Sequence, residues 1–166
     1  MGSLVFQNIR ESKALAYATF GYYGSPSKKD GKYYLLAYVG SQADKFKEAV
    51  KAMDELLTSM PTVEKNLNIA KIQLKKEIES ERITQDGIIY SYLAAKELGL
   101  NYDIRKNIYN NIDNVSMKDL TNFHSKYLAK KPYTYVILAS EKNISTEELK
   151  KIGKFKKLSL EELFGY

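Results

Sequence analysis

A chain of 166 residues, 44% hydrophobic and 28% charged, is long enough to bury one sizeable core and too short for two ordinary domains, so residues 1–166 read as a single domain or a portion of one. The absence of Cys excludes disulfides, thiolate metal sites and a cysteine nucleophile, and it leaves the compartment open. A net charge of +6 would suit a polyanion, yet the basic residues are spread along the chain. The densest cluster, Lys150, Lys151, Lys154, Lys156 and Lys157, is interleaved with Ile152 and Phe155 and accompanies no nucleic-acid motif. Nucleic acid is therefore not an expected partner. Nor is a membrane: no leader-like segment opens the chain, and no apolar stretch reaches the roughly 20 residues of a membrane helix.

In chain order, Leu4, Val5 and Ile9 predict a short helix over 3–13 running directly into an extended segment. Tyr17, Thr19, Phe20, Tyr22 and Tyr23 predict a strand over about 15–25. Turn chemistry at 27–31 follows, then a second strand over about 33–40, giving a hairpin. Ser41 is the expected N-cap of a helix whose apolar face holds Phe46, Ala49, Val50, Met53, Leu56, Leu57 and Met60. Pro61 restarts the chain into a second amphipathic helix through Val63, Leu67, Ala70, Leu74 and Ile78. Residues 88–98 are apolar on most sides and end at Gly99, which predicts a largely buried helix.

Asp103 opens a shorter helix, and Ser116 with Asp119 caps another carrying Met117, Leu120, Phe123, Tyr127 and Leu128. Pro132 ends it. Residues 133–139 are β-branched and aromatic and predict a strand in the same sheet as the hairpin. Ser145 and Glu148 form an expected capping box before a helix to Gly153. Residues 155–158 offer a fourth strand, and a last turn closes the chain. The expected fold class is α+β, an antiparallel-rich sheet of three to four strands covered by helices. So few strands for so many amphipathic helix faces suggests further strands ahead of residue 1.

No self-contained active site can be assembled from these residues. The one histidine, His124, excludes a two-histidine zinc site in this chain, and its place beside Phe123 suits a surface or boundary position. Phosphate loops, nucleophile elbows and dinucleotide turns are all missing from the sequence. The carboxylate pairs Glu77/Glu79 and Glu147/Glu148 sit in charged helical stretches, where solvation is the expected role.

The segment Ser3 to Tyr17 carries an Arg and, seven residues later, a Tyr that follows a Leu-Ala pair. It resembles the helix-to-strand junction in the C-terminal half of pitrilysin or insulinase-like zinc metallopeptidases. The order of elements after it, down to Lys131-Pro132-Tyr133-Thr134-Tyr135 and a close like that of longer bacterial members, resembles that family's C-terminal domain. The resemblance implies that Arg10 and Tyr17 bind substrate, holding the peptide backbone from the side opposite a zinc ion. That zinc would be bound by another domain or by a partner subunit, with no catalytic residue, metal or cofactor in this chain. It implies a peptide substrate, a zinc-bearing partner of the same family and a parent in the bacterial periplasm or cytoplasm. A sheet edge left open would favour self-association. The alternative is a non-catalytic partner subunit or structural module of the same fold, and a third reading is a basic adaptor unrelated to proteolysis. On spacing alone, Arg10 reads first as a helix C-terminal cation and Tyr17 as a packed strand aromatic, and it is the surrounding resemblance that favours the substrate role.

Overall fold

The strand β1 (Ala18–Gly24) pairs antiparallel with β2 (Tyr34–Gly40), from Ala18 opposite Gly40 to Gly24 opposite Tyr34. The structure is a computed structural model and describes residues 6–166, with side chains from residue 8 onward. Both strands fall inside the expected hairpin. Alternation does the sorting, because a pleated strand sends successive side chains to opposite faces. Ala37 and Val39 of β2 face the core, while Phe20, Tyr22, Tyr34, Leu36 and Tyr38 lie half-exposed on the opposite face. There Phe20 stacks on Tyr38 with centroids 5.2 Å apart, and Tyr22 lies 5.9 Å from Tyr34.

The core sits between the hairpin, helix α1 (Phe46–Thr58) and the segment that enters β1. Ile9, Leu15, Ala52 and Met53 are buried together, with Ala16, Ala37, Val39, Leu56 and Leu57 packed around them. Helix α2 (Glu64–Ser80) buries Leu67 and is tied to α4 (Ile104–Asn111) by Arg105 to Glu81 at 2.9 Å and by the Tyr109 hydroxyl donating to Glu79 at 2.6 Å. Helix α3 (Gln85–Glu97) is joined to the hairpin loop where Lys29 N–H donates to the Glu97 carbonyl. Helix α5 (Met117–Tyr127) meets β1 through an edge-on contact of Phe123 with Tyr23. Helix α6 (Thr146–Ile152) is linked to α1 by Lys47 and Glu148, 2.5 Å apart, and α7 (Leu160–Phe164) closes the chain.

The α+β class holds, while several sequence expectations are corrected. Residues 3–5 of the expected first helix lie outside the described residues; Phe6–Ser12 is helical as expected, wound as a π-helix. Ser41 is not the cap of α1. A 3-10 turn at Ala43–Lys45 begins after Gln42, and α1 follows directly, ending at Thr58 before Met60. Ser145 accepts from the Glu148 N–H, but the Glu148 carboxylate turns to Lys47, so the reciprocal half of the box is not made. Ser159 and Glu162 do form a full box at α7, as Ser116 and Asp119 do at α5.

The sheet differs most from expectation. Among the described residues it has two strands: 133–139 joins no ladder, and 155–158 is not a strand. The expected burial of α3 also fails. Ile88, Ile89, Tyr90, Tyr92 and Leu93 are all more than half exposed, because no layer of described residues lies over them. Gly99 does end α3 as read, at φ +72°, with the Leu100 N–H reaching back to the Ala95 carbonyl. The chain exposes 13212 Å², whereas a compact monomer of 19.0 kDa exposes about 8,400 Å². The apolar faces of the hairpin, α3 and 133–139 account for the character of that surplus.

Candidate functional site

The junction that enters β1, which carries the two candidate residues Arg10 and Tyr17, is anchored in the core. Ile9 is fully buried and Leu15 nearly so, both against Ala52 and Met53 of α1. Between them the Leu15 N–H donates to the Ile9 carbonyl at 3.0 Å, and Ala14 takes a left-handed φ of +49°. An alanine in that region carries local strain, which persists only where the surroundings impose it. The winding before the junction is π-type, a form that occurs mostly as short interruptions and often at functional positions.

This frame leaves Arg10 and Tyr17 outward. Arg10 follows the buried Ile9 directly, lies in the last turn of the π-helix and is exposed. Tyr17 is 67% exposed, although its main chain is fixed by an N–H bond of 2.8 Å to the Gly40 carbonyl that extends the hairpin ladder. Its hydroxyl accepts from Gln42 Nε2, which orients the ring. The sequence did not single out Gln42; the hairpin register, which brings residue 40 beside residue 17, would have pointed to it. Tyr17 is thus not a packed core aromatic. It is an exposed phenol on a fixed backbone.

Among the described residues no three or more His, Cys, Asp or Glu side chains come together, and a zinc site needs three or four such donors. His124, expected at a surface or boundary position, is buried at 7% exposure, with Nε2 lacking a hydrogen-bond partner among the described residues. The signal was present in the four-residue spacing Leu120, His124, Leu128, which marks the inward face of α5 more truly than Phe123 and Tyr127 do. The carboxylate pairs make no acid–base site: Glu77 accepts from Gln73, Glu79 from Tyr109, and Glu148 binds Lys47.

An open groove of about 680 Å³ lies between α1 and α6, lined by Phe46, Val50, Asp54, Tyr135 and Ile152 among others. Tyr135 donates its hydroxyl to Asp54, and burial together with that carboxylate pushes the phenol up to about 12. Glu55 is held below the usual carboxylate range by Lys13, and Glu148 by Lys47. Every acid in the groove is engaged, so none is poised as a general base.

No family model matches the chain, and no curated protein or solved structure does so either. The functional reading therefore stands on the Arg10–Tyr17 junction.

Proposed function

We propose that this chain is the substrate-holding portion of a zinc-dependent peptidase, with Arg10 and Tyr17 gripping the peptide backbone opposite a zinc site carried by another domain or subunit. The observation that carries the reading is the junction itself. A fully buried Ile9, a nearly buried Leu15 and a strained Ala14 fix the backbone from which an exposed Arg and an exposed Tyr project. Peptide hydrolysis develops negative charge on the scissile carbonyl oxygen, and fixed donors stabilise it without reorganising during the reaction. A guanidinium supplies permanent charge and five N–H donors, and a phenol supplies one O–H. In this reading the segment 133–139 becomes the third strand of the sheet once a neighbouring strand is supplied. The chain alone holds peptide and does not cut it.

The alternative, a non-catalytic subunit of the same fold, draws support from the uncovered apolar faces, which suit docking onto a larger assembly. Both readings keep the peptide-holding pair. The test is Arg10→Ala in the assembly of this chain with its zinc-bearing half. Loss of one preorganised donor costs about 10²- to 10³-fold in turnover, so peptide cleavage should fall by that factor while bound zinc remains unchanged. Cleavage unaffected by Arg10→Ala and by Tyr17→Phe would refute the proposal.

A further inference from the structure

We infer that the groove between α1 and α6 is a binding site for an anionic amphiphile: a single acyl chain lies on its apolar lining, and a negatively charged head group is held between Lys51 and Lys151. Phe46, Val50, Tyr135 and Ile152 supply the apolar lining, and about 680 Å³ falls within the range of small-molecule sites. Phe46, Val50 and Ile152 are half-buried, so each is seated in the fold and still offers apolar surface to an occupant. The walls are tied together before anything binds. Lys47 of α1 bonds Glu148 of α6, and the Tyr135 hydroxyl donates to Asp54 of α1.

Charge sets the sign of the occupant. The groove's carboxylates already have partners: Glu148 is bound to Lys47, Glu55 to Lys13, and Asp54 to the Tyr135 hydroxyl. Lys51 and Lys151 line the groove from α1 and α6 respectively, and neither makes an ion pair among the described residues. Lys13, Lys47, Lys51 and Lys151 thus stand against Asp54, Glu55 and Glu148, a surplus of one positive charge that matches one anionic head group. The walls in turn select an acyl chain over an extended peptide. Main-chain groups inside a helix bond within that helix, so a peptide laid between α1 and α6 would find few partners for its own N–H and C=O groups. An acyl chain brings no such groups and gains from apolar contact alone.

The site does not depend on the peptide-holding role, and Arg10→Ala should leave it intact. Calorimetric titration of the 166-residue chain with decanoate, below the concentration at which decanoate forms micelles, should show one site. Octanoate should bind more weakly by about two- to fourfold for each methylene lost. Decylammonium, with the same chain and the opposite charge, should bind about tenfold more weakly than decanoate. Lys51→Glu combined with Lys151→Glu should reverse that preference with the helical circular dichroism unchanged. Val50→Asp should abolish decanoate binding, whereas Ile88→Asp, on the exposed apolar face of α3, should leave it as it was. No binding below the micelle concentration, equal affinity for decanoate and decylammonium, or a preference unmoved by the two lysine substitutions would overturn the inference. So would a loss on Ile88→Asp as large as that on Val50→Asp, since uptake would then be general to apolar surface.

Discussion

Replacing Ile9 with Ala tests whether the junction rests on its buried core. Ile9 is the largest fully buried side chain among the described residues, and it is packed with Leu15, Ala52 and Met53. The substitution deletes three carbon groups at about 0.8 kcal/mol each, a transfer loss of about 2.4 kcal/mol. Partial collapse around the vacated space leaves a cavity that adds to this, bringing the expected loss to about 3 to 4 kcal/mol. Few side chains are buried around this point, so neighbours cannot share the loss widely. Urea unfolding followed by circular dichroism reads the change as a shift of the midpoint at constant slope. Leu160→Ala is the control: that side chain is 71% exposed, so its truncation should move stability by no more than about 0.5 kcal/mol. A loss below about 1 kcal/mol for Ile9→Ala, or equal effects of the two variants, would refute the assignment of the core to this junction.

His124→Leu removes a buried ring nitrogen that has no partner and supplies apolar volume, so the urea midpoint should hold or rise, by about 1 kcal/mol at most. Acid should destabilise the fold. Glu55, Asp103 and Glu148 are held below the usual carboxylate range by Lys13, Arg105 and Lys47 respectively, so the unfolded chain takes up protons first as pH falls. The urea midpoint should therefore be steady from neutrality to the carboxylate range and decline as pH drops below about 4. In alkali the sign is reversed for a phenol held protonated by the fold. Tyr135, raised from 10 to about 12, contributes stability that is complete below pH 10 and lost as pH climbs towards 12. Tyr135→Phe should remove one late-titrating tyrosine from the phenolate absorbance curve.

Local features were legible where one short stretch of chain decides the outcome. The hairpin followed from two alternating aromatic runs around turn residues, and every strand end lies no more than three residues from the expected one. The Asp103 and Ser116 caps and the Gly99 stop were also readable, because capping is a contact within one turn. Ser41 misled for a related reason: a cap residue is recognised by type, but which residue adopts the cap backbone depends on the turn before the helix, and here a 3-10 turn after Gln42 intervened. The segment 133–139 has strand composition, yet composition does not supply the neighbouring strand that makes a ladder.

Sequence by itself determined the α+β class, the hairpin, the sequence of helices and the lack of any two-histidine metal site, because each depends on periodicity, capping or residue inventory. It also set Arg10 and Tyr17 seven residues apart across a helix-to-strand junction. Only the tertiary structure decided what those elements bury. A helix that is apolar on most sides promises burial, but α3 remains exposed because burial needs a second surface. His124 is buried because α5 turns its four-residue spacing inward. Arg10 and Tyr17 stand outward on a fixed frame because Ile9 and Leu15 are pulled into one core with α1, a contact between residues some forty positions apart in the chain.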